Sequence, residues 1–194
     1  MKTYLDKNVY EAALERIAYC FQEFDNVLVA FSGGKDSGVL LNLCYNYADE
    51  HGLLDKLTMY HLDYEAQYQM TTEYVTRTFL EQFPGIRKMW YCVPIKAQSA
   101  CALGEPYWTP WDAAKKKLWV RAMPENPYVV HEGNLDVPFR HGMVDYEFQD
   151  KLSRHFAKKR GTTAVMVGLR ADESLNRYAA VARGKKRRSY EGRK

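Results

Sequence analysis

This chain has few cysteines and no pattern among them. Cys20, Cys44, Cys92 and Cys101 form no CxxC pair and no metal-like cluster with histidine, so the common zinc and disulfide frameworks are excluded. Cys20 and Cys44 fall in helix-like patterns and Cys92 on a strand-like run, where free cysteine acts as a small buried hydrophobe. Cys101 lies in a less patterned stretch and is the candidate for a reactive thiol. His61, His131, His141 and His155 are scattered without metal-ligand spacing, and no nucleophile stands in a triad context. Long apolar runs are also missing: no stretch approaches the ~20 residues of a membrane helix. The opening MKTYLDKNVYEAALERI is amphipathic with charges throughout, unlike a signal peptide. The cytoplasm is the expected location, and there all four thiols stay reduced.

A length of 194 residues suits a single α/β domain. The formal charge of +4 is unevenly placed. Arg183–Lys194 holds seven Lys/Arg and one Glu, a contribution of +6 that leaves the remainder at −2. Such a tail can contact nucleic acid electrostatically, or it can be a solvated, disordered end.

Periodicity predicts helices over Tyr10–Phe24, Gly38–His51, Gln67–Phe83 and Asp145–Arg160. Strands are predicted over Val27–Phe31, Lys56–Leu62, Ile86–Val93 and Thr162–Leu169. The alternation implies βαβ units and a parallel sheet, with ligands at the carboxyl ends of the strands. Ser32, Asp63 and Arg170 all fall at such ends. The stretch from Ile95 to Val144 breaks the alternation and reads as an insertion, with a short helix around Asp112–Trp119, lying over the ligand face. Its Trp108, Trp111 and Trp119 either form the insertion's own core or stack on a base. One domain over 1–182 with an insertion at about 95–144, then a basic tail over 183–194, is the expected organisation.

The densest chemistry is the run NVLVAFSGGKDS at Asn26–Ser37. A β-branched strand meets two glycines and then a helix start, which makes an anion site. Gly33 and Gly34 let the backbone approach an oxyanion. The unpaired N–H groups of the helix start, and its dipole, favour negative charge. Ser32 and Ser37 add hydroxyls, Lys35 adds a positive charge, and Asp36 adds a carboxylate. Neither GxxxxGK[ST] nor GxGxxG is present. SGGKDS resembles the PP-loop of the adenine nucleotide alpha-hydrolase superfamily. That superfamily includes N-type ATP pyrophosphatases, tRNA thiolation enzymes, the small subunit of ATP sulfurylase and phosphoadenosine phosphosulfate (PAPS) reductases. The resemblance implies an α/β three-layer sandwich with a mostly parallel sheet.

A second run, Gly168-Leu-Arg170-Ala-Asp-Glu173-Ser174-Leu-Asn-Arg177, is similar to the GxRxxESxxR element after the last strand in PAPS reductases and in the small subunit of ATP sulfurylase. Arg170 and Arg177 offer planar forks to phosphate oxygens, and Ser174 adds a donor. Glu173 can hold an arginine or reach magnesium through water, or simply pair with Arg177 along the helix. Asp63, in HLDYEAQY, matches in part an aspartate of PAPS reductases. It reads either as a ribose or metal contact or as a helix N-cap.

The nucleophilic Glu-Cys-Gly-Leu-His segment of PAPS reductases is absent, and no cysteine follows Cys101. The paired cysteines of many thiolation enzymes are absent too, so no iron–sulfur cluster is expected. The resemblance therefore implies an ATP-using, magnesium-dependent enzyme that cleaves the α–β bond, releases pyrophosphate and adenylylates an acceptor. Lys35, Arg170 and Arg177 would be catalytic. Ser32, Gly33, Gly34, Lys35, Asp36, Ser37, Asp63, Gly168, Arg170, Glu173, Ser174 and Arg177 would bind the nucleotide, and Asp36 and Asp63 would place magnesium. Two alternatives are a PAPS- or APS-binding sulfur-transfer enzyme and a nucleotide-binding or DNA-associated subunit acting with a partner.

Overall fold

The computed structural model of the chain describes residues 6–99, 104–170 and 173–182. Cys101 and the basic tail lie outside them. Helix α1 (Val9–Glu23) opens with a capping box in which Asn8 and Glu11 satisfy each other's backbone N–H groups. Then follow β1 (Asn26–Ala30), α2 (Lys35–Glu50), β2 (Leu57–Leu62), α3 (Gln69–Glu81) and β3 (Arg87–Cys92). The insertion supplies a small hairpin, β4 (Ala97–Gln98) with β5 (Tyr107–Trp108), and then β6 (Val129–His131). Helix α4 (Asp145–Arg160), β7 (Thr163–Val167) and α5 (Leu175–Ala182) complete the order.

The main sheet has five strands, all parallel, in the order β6-β3-β2-β1-β7. Side chains alternate across it, as a strand buried on both faces requires. Val27 and Val29 of β1 and Met59 of β2 pack with Ile17, Phe21, Leu41, Cys44, Val75 and Phe79 of α1, α2 and α3. Leu28 and Tyr60 point the other way, with Tyr91, onto Phe148 and Leu152 of α4. The result is the three-layer α/β sandwich. From β1 the chain runs through β2 and β3 to one side, while β7 returns to the other side of β1. The carboxyl ends of β1 and β7 therefore flank a topological switch point, where open α/β sheets bind ligands.

Three differences from the sequence expectations bear on the site and its surroundings. Helix α2 begins at Lys35 with Gly34 as N-cap, not at Gly38, so Lys35, Asp36 and Ser37 form its first turn. The stretch from Ile95 to Val144 also adds β6 to the edge of the main sheet, beside β3. The apolar run there was too short to register as a strand. The helix expected around Asp112–Trp119 is a kinked 3-10 segment, Ala113–Leu118. Among the described residues no helix is long and apolar enough to cross a membrane.

Candidate functional site at the switch point

The loop after β1 is held open by its own side chains. The Ser37 hydroxyl accepts from the Ser32 N–H at 3.1 Å, lies 2.9 Å from the Ser32 hydroxyl, and donates to the Gly34 carbonyl at 2.9 Å. The Ser32 hydroxyl also accepts from the Gly34 N–H at 3.3 Å. Gly33 has φ +81°, and a Cβ there would lie 2.8 Å from Val75 and 2.9 Å from Thr71. Only glycine fits, for both conformation and space.

The second motif meets this loop by backbone contact. A Cβ on Gly168 would lie 2.8 Å from the Asp36 carbonyl carbon and oxygen and 3.0 Å from the Ser37 nitrogen. No flexible side chain intervenes, so the end of β7 is locked against the first turn of α2. Arg170 follows two residues later, and its charge and that of Arg177 both reach Asp36. The Asp36 carboxyl is held below its ordinary value, mainly by the hydrogen bond from Lys35 at 2.9 Å and then by the charges of Lys35, Arg170 and Arg177. The side chains of Lys35 and Asp36 remain 76% and 30% exposed, at the mouth of the loop. Ser174 caps α5 by accepting from the Arg177 N–H at 3.2 Å, and Glu173 pairs with Arg177.

The structure thus gathers Ser32, Gly33, Gly34, Lys35, Asp36, Ser37, Gly168 and Arg170 at one point, with Glu173, Ser174 and Arg177 at the start of α5. Asp63 is placed differently. It ends β2 with no exposure, and its carboxylate accepts from Arg121 at 2.6 Å, Trp90 at 2.7 Å and the Glu65 N–H at 2.8 Å. It is not a helix N-cap, since α3 starts at Gln69 behind Tyr68. Glu65, also buried, takes the N–H groups of Trp111 and Val120 at 2.8 and 2.7 Å, and its own carbonyl accepts from Arg121 at 2.9 Å. Asp63 and Glu65 clasp the insertion to the sheet. The sequence reading missed Glu65 and Arg121. The available signal was the pair of acids two residues apart just past a strand.

Trp111 belongs to the main core and donates to the Asp63 carbonyl, while Trp119 packs edge-on against it at 5.2 Å. Cys44 and Cys92 are buried and Cys20 is half-buried, and burial raises all three thiols, Cys44 to about 12. Thr71, whose side chain packs against Gly33, also lines a cavity of about 580 Å³ together with Ala66, Gln67, Tyr68 and Val120.

A protein-family profile described as "Phosphoadenosine phosphosulfate reductase domain" matches residues 26–189, which include both motifs. The chain belongs to this family. The family belongs to the PP-loop superfamily of adenine nucleotide alpha-hydrolases, and the parallel five-stranded sheet with its flanking helices is consistent with that fold. The chain is also 33% identical over 186 residues to a protein of Escherichia coli (strain K12) called "Uncharacterized protein YbdN". That match covers 95% of this chain and 44% of the relative, so the chain spans less than half of that relative's length. The family is a nucleotide-binding, sulfonucleotide-related one.

Proposed function

We propose that this domain binds ATP at the switch point and cleaves it between the α and β phosphates to adenylylate an acceptor. The observation that carries the reading is the close packing of Gly168 on the Asp36–Ser37 backbone, which sets an arginine-bearing segment beside an intact phosphate loop. The acceptor's nucleophile attacks the α phosphorus, the bond to the bridging oxygen breaks, and pyrophosphate leaves with the electron pair on that oxygen. The N–H groups of Gly33, Lys35 and Asp36 hold the pyrophosphate, while the Gly34 N–H and the Ser32 and Ser37 hydroxyls, engaged with one another, keep the loop in shape. Lys35 and Arg170 or Arg177 offset the charge that develops on it, which is the main protein contribution in phosphoryl chemistry. The cavity lined by Thr71, which packs against Gly33, has room for the nucleoside.

Asp36 fits a magnesium role, being an ionised carboxylate at the mouth of the loop. Magnesium is commonly held by one or two carboxylates together with substrate phosphates, whose charge it neutralises. Asp63, wholly engaged by protein donors, positions the insertion in this reading and leaves the metal to Asp36.

The family's own description favours a second reading, in which the same loop binds PAPS. Calorimetric titration with ATP plus magnesium, and separately with PAPS, distinguishes the two. ATP is expected to bind more tightly, and Lys35→Ala is expected to weaken it by about tenfold to a hundredfold through loss of a charged hydrogen bond. Tighter binding of PAPS would overturn ATP cleavage in favour of sulfonucleotide chemistry.

A further inference from the structure

The carboxyl edge of the sheet carries another cavity, of about 480 Å³. Its walls come from the main fold at Glu65 and from the insertion at Lys96, Tyr107, Trp108, Lys115 and Trp119. Val120 borders both this cavity and the one lined by Thr71, so the two are neighbours along one edge.

The lining combines aromatic rings with ammonium groups. Lys96 Nζ stands 4.1 Å from the centre of the Tyr107 ring. Lys115 begins an exposed run through Lys117. Leu118 and Val120, at the mouth, are 78% and 68% exposed. On the acidic side, both carboxylate oxygens of Glu65 are taken by backbone N–H groups, and Asp112 lies 3.9 Å from Lys115 Nζ. Glu105 is the remaining acid of the lining. Rings that can stack on bases, beside lysines that can follow phosphates, are the chemistry of single-strand recognition.

We infer that this cavity binds a nucleotide unit, a base with its phosphate, presented by a single strand or as a free nucleotide. This binding is tested independently of the adenylyl-transfer reading above.

The test titrates the full chain with a fluorescently labelled oligothymidine and with uridine monophosphate, and in parallel measures ATP–magnesium binding by calorimetry. Trp108→Ala is expected to weaken strand binding about tenfold, with recovery in Trp108→Phe, which keeps a stacking ring. Replacing Lys96 and Lys115 together by Gln is expected to lower the salt slope by about 1.4, the value for two lost phosphate contacts on a single strand. Both changes leave ATP binding as it was, whereas Lys35→Ala weakens ATP and spares the strand. If only uridine monophosphate binds, and the same variants abolish it, the free nucleotide is the occupant. The inference is overturned if neither probe binds. It is equally overturned if strand binding survives these variants and disappears only on deleting Arg183–Lys194. Strand binding without ATP binding would sink the adenylyl-transfer reading and leave the cavity's assignment standing.

Discussion

At the scale of single residues the site depends on what is missing from Gly168. A methyl group there meets main-chain atoms of Asp36 and Ser37 at 2.8 and 3.0 Å, and main chain of a helix start cannot rotate away. Gly168→Ala is therefore expected to push β7 and α2 apart. Overpacking of this kind costs about 1–3 kcal/mol, readable as a lower urea midpoint. ATP binding should fall along with it, and an unchanged midpoint with normal binding would show that the two motifs do not need this contact. His61 makes a different residue-scale prediction. It is 1% exposed at the end of β2, and its Nδ1 lies 2.8 Å from the Phe31 carbonyl, just ahead of the phosphate loop. Burial pushes its pKa down, against the opposing pull of Asp63. Below the unfolded-state value of about 6.5, the unfolded chain takes up a proton that folded His61 refuses, so stability falls as pH drops. The loss is at most about 1.4 kcal/mol per pH unit for one proton. Urea unfolding between neutral pH and the upper carboxylate range should show this slope, and His61→Gln should flatten it. An equal slope in the variant would move the effect to other groups.

At the scale of elements, the insertion is joined to the sheet through a few buried charges. Arg121 is the cation facing the fully buried Asp63 carboxylate, and its guanidinium also lies 4.9 Å from the centre of the Trp111 ring. Arg121→Ala leaves that carboxylate buried and unpaired, which costs about 3–5 kcal/mol. The Asp63→Asn/Arg121→Met double variant should cost much less than the two single changes combined, because no lone charge remains buried. Additive losses would mean that the pair is not coupled. The sequence offered the acid pair Asp63 and Glu65 but not the Arg121 that they meet. The four helices α1 to α4 and the strands β1, β2, β3 and β7 were legible because each has a long period or a β-branched run, and their observed ends differ from expectation mostly by a residue or two. The α4 bounds, Asp145–Arg160, coincide with those expected. Strand β6 spans only Val129–His131 and owes its state to pairing with β3, and the Asp63–Arg121 contact joins residues 58 apart. Neither leaves a local pattern. The phosphate loop was legible for the opposite reason, since its chemistry sits in consecutive residues.

At the scale of the whole molecule, the two motifs lie over a hundred residues apart in sequence, and the topology brings them together by placing β7 against β1. No periodicity predicts that adjacency. It follows from the strand order, and the expectation that the GLR segment serves the loop came from the resemblance together with the place of Arg170 at a strand's carboxyl end. The same packing governs thiol chemistry across the molecule. Cys44 and Cys92 are buried on one face of the sheet, and Cys44 Sγ lies 3.7 Å from Met166 Sδ of β7. With its pKa pushed up to about 12, Cys44 holds almost no thiolate at neutral pH, and Cys92 is raised as well, by burial first and then by the neighbouring Asp63 carboxylate. Neither is placed to act as a sulfur-transferring nucleophile in the folded protein. Alkylation with iodoacetamide at neutral pH, followed by mass spectrometry of the peptides, should therefore leave both unmodified until denaturant is added. They should then react together, because the faces that cover them unfold as one unit. Rapid native labelling of Cys92 would mean that the insertion opens on its own, releasing the clasp at Asp63 while the rest of the sheet stays folded.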